Sequence, residues 1–121
     1  GEEQEKGPPQ VHFGGLEVDF VRHEVKVGGR LVSLTPTEFK LLEVLVKQPG
    51  RAFTRLELVD RLFGFDYEGL ERTVDTHVVN LRKKIETNPT RPTYIQTVYG
   101  VGYKLNEAAE RLAAGEEPNV E

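Results

Sequence analysis

Basic, amide and hydroxyl side chains recur at helical spacing between residues 72 and 85. Lysine and arginine neutralise phosphates, asparagine can pair with the edge of an adenine, and the methyl groups of valine and threonine can contact the methyl group of thymine. At about 100° per residue, one side of such a helix carries a mostly polar set: Arg72, Thr76, Val79, Asn80 and Lys83. These residue types on one helix face predict a surface that enters the major groove of DNA.

The opposite side of the same helix is apolar, which predicts a buried stripe. Its members are Val74, Val78, Leu81 and Ile85. Arg82 lies on the border between the two sides, and Glu86, one turn further on, is predicted to form a surface ion pair with it. His77 lies beside the apolar stripe, where packing or a phosphate contact is expected rather than metal binding, since no ligand spacing links it to the other histidines. The further candidate DNA contacts of this helix are Thr73, Asp75, His77 and Arg82.

A second DNA-facing feature is predicted between residues 94 and 105, where two short segments flank a turn that contains Gly100 and Gly102. Both glycines are expected to adopt positive φ angles. Three hydroxyl side chains alternate along one face of the predicted hairpin: Thr97, Tyr99 and Tyr103. Thr97 and Tyr99 are nearer the tip, and their hydroxyl groups can reach a phosphate or a sugar. Tyr103 either makes such a contact or covers the core.

Charge is distributed unevenly along the chain, whose net charge is −4. Residues 72–105 carry six basic and two acidic side chains, a local charge of +4, whereas residues 1–10, 11–71 and 106–121 are each net negative. Because screening at physiological salt acts over about 8 Å, the local charge governs binding more than the total does. The basic segment is therefore the predicted anion-binding surface.

The composition excludes several other classes of protein. A length of 121 residues predicts one domain with a modest core, and the absence of cysteine excludes disulfides, thiolate catalysis and cysteine-based zinc sites. No apolar run of about 18 residues is present, so no membrane-spanning segment is expected, and neither a metal nor a cofactor is predicted. Asp75 and His77 share a helix surface without a serine or cysteine partner, so an enzyme is not expected. The chain begins with Gly and contains no Met, which indicates a piece of a longer protein.

The elements that must position these surfaces begin with a small sheet. Hydrophobic residues alternate over residues 11–34, and Gly28–Gly29 has the composition of a tight hairpin turn, so antiparallel strands are predicted. Residues 1–10, rich in Glu, Gln, Gly and Pro, are expected to form a linker. The acidic residues 106–121 are expected to form a flexible tail, so the predicted domain spans residues 11–105.

Three helices are predicted after the sheet. The first begins with a capping box and a proline at its first position, and it ends near Gln48 before a Pro-Gly pair. The second begins with another capping box and ends at Gly64, and the third runs from about Glu71 to Thr87. The capping pairs are Thr35 with Glu38 and Thr54 with Glu57. A hairpin that follows a small sheet and three helices predicts an α+β fold, a winged helix-turn-helix in which the hairpin is the wing.

Three motifs make the chain resemble the effector domains of the OmpR/PhoB family of bacterial response regulators. They are Leu34–Phe39 at the start of the first helix, Arg72–His77 with Leu81–Lys83 in the third helix, and Thr97–Leu105 in the hairpin. The resemblance implies a four-stranded N-terminal sheet and a three-helix core, with the third helix in the major groove and the wing at the minor groove. It also implies transcription regulation through tandem direct-repeat half-sites in promoter DNA.

Further partners follow from the same resemblance. The loop between Gly64 and Glu71 occupies the place where members of the family contact RNA polymerase, and its candidate contact residues are Asp66, Tyr67 and Glu68. An N-terminal receiver domain would precede this chain and be phosphorylated on an aspartate in response to a histidine kinase. No residue of this chain is a candidate for that aspartate. The resemblance thus implies a cytoplasmic protein with no membrane partner.

Three residues depart from the family pattern and keep a second function open. Tyr99 stands where an arginine is usual in the wing, and Val79 and Asn80 stand where some members carry arginines. Fewer positive charges predict a shallower salt dependence of DNA binding. Together with the acidic termini, Tyr99 and Val79 favour a winged-helix module that binds another protein as the alternative to DNA binding.

Overall fold

Four short antiparallel strands begin the domain in the computed structural model, which describes residues 9–64 and 71–109. They are β1 (Gln10–Phe13), β2 (Leu16–Asp19), β3 (Glu24–Val27) and β4 (Arg30–Val32), joined in chain order. The alternating pattern places Leu16 and Val18 in the core and leaves Glu17 on the outer face. The predicted antiparallel sheet is confirmed.

The turn between β3 and β4 is built on Gly28 and Gly29, whose φ angles are 60° and 83°. Glycine adopts such values at two successive positions without steric cost. The hairpin turn predicted from this pair is confirmed.

Three helices follow the sheet: α1 (Pro36–Val46), α2 (Arg55–Phe63) and α3 (Arg72–Ile85). Both predicted capping boxes are present. Thr35 and Glu38 exchange hydrogen bonds between side chain and backbone at the start of α1. Thr54 and Glu57 make the same exchange at α2, which ends where predicted. α1 ends two residues before its predicted end, and α3 stops short of its predicted end because the backbone at Glu86 is extended.

A second sheet brings the hairpin against the helices. It contains β5 (Phe53–Thr54), β6 (Ile95–Val98) and β7 (Gly102–Leu105) in the order β5-β7-β6. The hairpin of β6 and β7 confirms the predicted wing, whereas β5 has only two residues and was not predicted. Because β5 directly precedes α2, its pairing with β7 places the wing beside the start of that helix.

The two glycines of the wing turn have different roles. Gly100 has the predicted positive φ angle, 81°. Gly102 does not, so the prediction is wrong for this residue. Instead, a Cβ atom on Gly102 would lie 2.0 Å from the carbonyl oxygen of Phe53 in β5, so only glycine permits the close approach of the two strands.

The core lies where the first sheet, the three helices and the base of the wing meet. Its fully buried side chains include Leu41, Leu42 and Leu45 of α1, Leu58 of α2, Leu81 of α3, and Ile95 and Leu105 of the wing. Burial of each such side chain is worth roughly 1.5–3 kcal/mol. α3 is therefore held with one side inward and a fixed side outward.

The structure extends beyond the predicted domain 11–105 at both ends. Gln10 belongs to β1, and Asn106 and Ala109 are buried. The predictions of a linker through residue 10 and of a tail from residue 106 are therefore corrected at these positions. Residues 1–8 and 110–121 lie outside the described residues.

Candidate nucleic-acid interface

α3 has one apolar side and one polar side, as predicted. The apolar stripe is at most 1% exposed: Val74, Val78, Leu81 and Ile85. The residues of the other side are exposed or partly exposed: Arg72, Thr73, Thr76, Val79, Asn80 and Lys83. α3 thus presents hydroxyl, amide and basic groups outward on a rigid support.

The start of α3 differs from the starts of the other two helices. α1 and α2 begin with capping boxes, whereas Glu71, which precedes α3, makes no side-chain hydrogen bond to the first turn. Amide groups at the positive end of a helix favour an anion such as phosphate. The N-terminal end of α3 is therefore suited to the backbone of a nucleic acid.

Asp75, one of the predicted DNA contacts, contacts the wing and α2. Its carboxylate accepts a hydrogen bond from the Tyr103 hydroxyl at 2.6 Å and another from Arg55 Nη2 at 2.8 Å. Burial and the hydrogen bond to Asp75 raise the pKa of Tyr103 to about 12, and the hydrogen bond to Asp75 raises the pKa of Arg55. Tyr103 therefore remains a hydrogen-bond donor at neutral pH, and a contact of Asp75 with DNA stays a prediction.

Arg82 and Thr97, two further predicted DNA contacts, bind each other. Arg82 donates from Nε and Nη2 to the carbonyl oxygen of Ile95, at 3.1 and 2.8 Å, and from Nη2 to Thr97 Oγ1 at 2.9 Å. Its guanidinium group also lies 5.6 Å from the centre of the Tyr103 ring. These contacts join α3 to the wing, and a contact of either residue with DNA stays a prediction.

Glu86 is not the ion-pair partner of Arg82 that the helical spacing predicted. Its buried carboxylate accepts hydrogen bonds at 2.7 to 3.1 Å from three consecutive amides, those of Thr93, Tyr94 and Ile95. The backbone at Glu86 is extended, so the side chain is no longer at helical spacing from the preceding turn. The predicted surface ion pair is therefore wrong, and Glu86 fixes the base of the wing.

His77 lies at the edge of the outward side of α3 and is half-buried. The centre of its ring is 6.1 Å from that of Phe63 in α2, and the two planes are inclined by 44°. His77 is thus a packed histidine, while its contact with a phosphate stays a prediction.

The tip of the wing is its most exposed part. Tyr99 is 90% exposed, and Val101 is 42% exposed. Thr97 and Tyr103 are direct partners in the β6–β7 pair and share a face, as predicted. The tip therefore presents an aromatic hydroxyl group beyond the last strand pair.

Lys84 has a partner that was not predicted. Its Nζ lies 2.6 Å from Oε1 of Glu38, whose side chain is only 4% exposed. Burial alone would raise the pKa of Glu38, but hydrogen bonds from Lys84 and Thr35 outweigh it and lower the pKa below its ordinary value of 4.5. The pair ties the last turn of α3 to the start of α1.

Two features are absent from the described part of the chain, a metal-binding cluster and a membrane-spanning helix. Within residues 9–64 and 71–109, no group of three or more His, Asp or Glu side chains could hold a metal ion. No helix in these ranges has the length and hydropathy needed to cross a membrane. The predicted polymerase contacts Asp66, Tyr67 and Glu68 lie outside the described residues.

The fold and the outward side of α3 define a class of protein. A small sheet, three helices and a closing hairpin form a winged helix-turn-helix domain, with α2 and α3 as the helix-turn-helix pair. In this class the second helix of the pair is the one that enters the groove of DNA. The architecture expected from the resemblance to OmpR/PhoB effector domains is confirmed.

A family model described as "Transcriptional regulatory protein, C terminal" matches residues 29–105. The chain therefore belongs to this family of response-regulator DNA-binding domains. It is 48% identical over 95 residues to the sensory transduction protein RegX3 of Mycobacterium leprae, over 78% of this chain and 48% of RegX3. It is 43% identical over 94 residues to the DNA-binding response regulator MtrA of Mycolicibacterium paratuberculosis, over 78% of this chain and 42% of MtrA. The chain thus spans less than half the length of these relatives.

Solved structures share this fold. The response regulator DrrB of Thermotoga maritima, an OmpR/PhoB homologue, matches with a TM-score of 0.75 at 34% identity, over 81% of this chain and 44% of DrrB. The DNA-binding domain of RstA from Klebsiella pneumoniae, solved in complex with the RstA box, matches with a TM-score of 0.74 at 36% identity, over 81% of this chain and 97% of that domain.

Proposed function

We propose that this domain binds a specific sequence of double-stranded DNA, with α3 in the major groove and the wing at the adjacent minor groove. The orientation of α3 carries the proposal, because its apolar stripe is locked into the core while Thr76, Asn80 and Lys83 remain accessible together. The major groove, about 12 Å wide, admits one helix whose side chains reach the base edges. The complex of the similar RstA domain with its box supports this class of ligand.

Some of the outward side chains can contact base edges, whereas others contact the phosphate backbone. Asn80 offers a donor and an acceptor to an adenine edge, and the methyl groups of Thr76 and Val79 can contact that of thymine. Arg72 and Lys83 neutralise phosphates, which positions the domain without reading bases. The remaining contacts proposed at the edges of the interface are Thr73, His77 and Tyr99.

The charge near α3 favours a polyanion even though the whole chain is acidic. Residues 72–105 contain only two acidic side chains, Asp75 and Glu86. Asp75 is hydrogen-bonded to Arg55 and Tyr103, and Glu86 is buried against backbone amides. Both carboxylates are hydrogen-bonded within the domain, so the charge at this surface depends more on its basic groups than on the net charge of −4.

In the whole protein, the domain would be the output of a two-component system. Its relatives RegX3 and MtrA are described as a sensory transduction protein and a DNA-binding response regulator, and the chain spans less than half of each. A receiver domain, phosphorylated in response to a histidine kinase, would control the assembly of two copies on tandem direct-repeat half-sites of a promoter. The bound domains would contact RNA polymerase in the cytoplasm.

Selection of bound sequences from a pool of random DNA tests the proposal. We expect one enriched motif, bound less tightly as salt increases. Arg72→Ala should weaken binding to the motif and to unrelated DNA by the same factor, because a phosphate contact carries no base information. Arg22→Ala is the matched control, since it removes the same charge from the exposed turn between β2 and β3. Failure of the wild-type domain to enrich any sequence would refute the proposal.

A protein-binding module is the second candidate, because apolar and aromatic side chains are exposed beside the polar ones. Val79 is 48% exposed, Tyr99 90% and Val101 42%. Aromatic residues are enriched at the centres of protein interfaces, where charged residues are depleted. The same selection separates the two candidates, since a module of this kind would enrich no DNA motif.

A further inference from the structure

Two residues of α3, Asp75 and Arg82, form hydrogen bonds with the wing, and they lie two helical turns apart. Asp75 and Arg82 are separated by seven positions, which places them on the same flank of a helix with about 3.6 residues per turn. Asp75 accepts a hydrogen bond from Tyr103 of β7. Arg82 donates one to Thr97 of β6. A single flank of α3 therefore holds both strands of the wing.

These four residues form a closed arrangement, which we call the frame: Asp75, Arg82, Thr97 and Tyr103. Thr97 and Tyr103 are direct partners in the antiparallel pairing of β6 and β7, so the strand pair closes one side of the frame. Two turns of α3 close the opposite side. The Arg82 guanidinium, 5.6 Å from the centre of the Tyr103 ring, adds a contact across the middle.

Among the described residues, the frame is the polar connection between α3 and the wing that lies nearest the tip. On the core side of the frame, Ile95 and Leu105 are fully buried and hold the base of the hairpin. On the other side, residues 99–101 form the exposed turn. The position of this turn relative to α3 therefore depends on the strand pair that the frame holds.

The wing is also held by the short strand β5, which precedes α2. β5 pairs with β7 through Phe53 and Thr54 and holds the wing toward α2. Arg55, the first residue of α2, binds Asp75 at 2.8 Å and so connects α2 to the frame. Glu86 and the core hold the base of the wing to α3, whereas the frame joins α3 to the strands nearer the tip.

We infer that the frame sets the position of the wing tip relative to α3, so that Asp75, Arg82 and Thr97 serve DNA binding as positioning residues rather than as DNA contacts. This inference rests on the proposed function. A rigid body that reads two grooves needs a fixed spacing between its two reading elements. A tip that is not held in advance must be ordered at the moment of binding, which reduces affinity.

Tyr103→Phe tests the frame in the DNA-free protein, because it removes one hydroxyl group and keeps the ring. We expect the wing amides to exchange with solvent about tenfold faster. The reason is that losing a hydrogen bond to a charged group lowers the free energy of local opening. Tyr94→Phe is the matched control, since the hydroxyl of Tyr94 bonds to the backbone of Gly15 and not to the frame. Unchanged exchange of the wing amides in Tyr103→Phe would overturn the inference.

A double-mutant cycle then tests the link to DNA, with the motif selected by the wild-type chain as the probe. Tyr103→Phe should weaken binding by roughly threefold to tenfold. In a Tyr99→Ala background this loss should fall below about twofold, because the tip contact is already missing. In a Thr76→Ala background the full loss should persist, because that substitution affects the major groove.

The outcomes separate this inference from the proposed function. If the wild-type chain selects no DNA, the proposed function fails and the positioning role fails with it. If the wild-type chain selects DNA but Tyr103→Phe has no effect, or has the same effect with and without Tyr99, only the positioning role is refuted.

Discussion

The two polar flanks of α3 contain similar residue types but contact different partners. The outward flank carries Thr76, Asn80 and Lys83, which are exposed or partly exposed. The wing-facing flank carries Asp75 and Arg82, whose carboxylate and guanidinium groups are hydrogen-bonded within the domain. Polarity along a helix therefore does not by itself identify a binding surface, because a charged side chain can instead orient a neighbouring element.

This contrast predicts two kinds of variant. Substitutions on the outward flank should change DNA binding and leave the free energy of unfolding nearly unchanged. Substitutions of residues that hold α3 to the wing or to α1 should change stability or wing position first.

The largest effect is expected for Glu86→Ala. The substitution leaves the amides of Thr93, Tyr94 and Ile95 without the carboxylate that accepts their hydrogen bonds. We expect the free energy of unfolding to fall by about 3 kcal/mol, measured by urea denaturation. Glu17→Ala, on the outer face of β2, is the control and should change it by less than about 0.5 kcal/mol.

A loss below about 1 kcal/mol in Glu86→Ala would count against this role. It would show that the three amides find other acceptors and that the base of the wing does not depend on the carboxylate.

Asn80→Ala should have the next largest effect, on specificity. Loss of a base contact is expected to cost about 1–3 kcal/mol at one position of the selected motif, measured by titrating the motif and its single-base variants. The free energy of unfolding should remain within about 0.5 kcal/mol of the wild-type value. Asn88→Ala, just beyond α3, is the control for specificity and should leave the discrimination between bases unchanged, although it removes the hydrogen bonds that Asn88 accepts from Thr90.

An equal loss of affinity for every sequence would show that Asn80 contacts the DNA backbone instead of a base. An unchanged affinity would remove Asn80 from the interface.

Acid should weaken the contact between α3 and α1. Because the folded-state pKa of Glu38 is lowered below 4.5, its contribution to stability is complete above that value and is lost as the pH falls through the lower folded pKa. Glu38→Gln should therefore flatten the fall of stability with decreasing pH, measured by urea denaturation from about pH 6 to about pH 3. An acid dependence as steep as that of the wild-type protein would refute this role of Glu38.

Much of the fold could be predicted because its signals are local. Thr35 and Glu38 are three residues apart, as are Thr54 and Glu57, so each capping box is visible in a short segment. The buried stripe of α3 and the glycine pair between β3 and β4 are likewise encoded by neighbouring residues. Local hydrogen bonds thus made the starts of α1 and α2 predictable, and helical periodicity did the same for the orientation of α3.

The contacts that escaped prediction join distant parts of the chain. Tyr103 lies 28 positions from Asp75, and Lys84 lies 46 positions from Glu38. The steric need for Gly102 also comes from another strand, β5. The sequence alone does not show that the carboxylate of Asp75 is hydrogen-bonded within the domain, because both of its partners are distant in the chain.

Two adjacent lysines of α3 allow the proposed DNA-facing role of the outward flank to be tested directly. Lys83 is exposed on the outward flank, whereas Nζ of Lys84 lies 2.6 Å from the carboxylate of Glu38. Lys83→Ala and Lys84→Ala remove the same charge from consecutive positions, so a purely nonlocal effect of charge would be equal in both.

The slope of log affinity for the selected motif against log salt concentration should be measured for both variants and for the wild-type chain. We predict that Lys83→Ala lowers the magnitude of this slope by about 0.9, the value for one phosphate contact, while Lys84→Ala keeps the wild-type slope. Equal slopes for the two variants, or a change confined to Lys84→Ala, would show that the outward flank of α3 is not the surface that faces DNA.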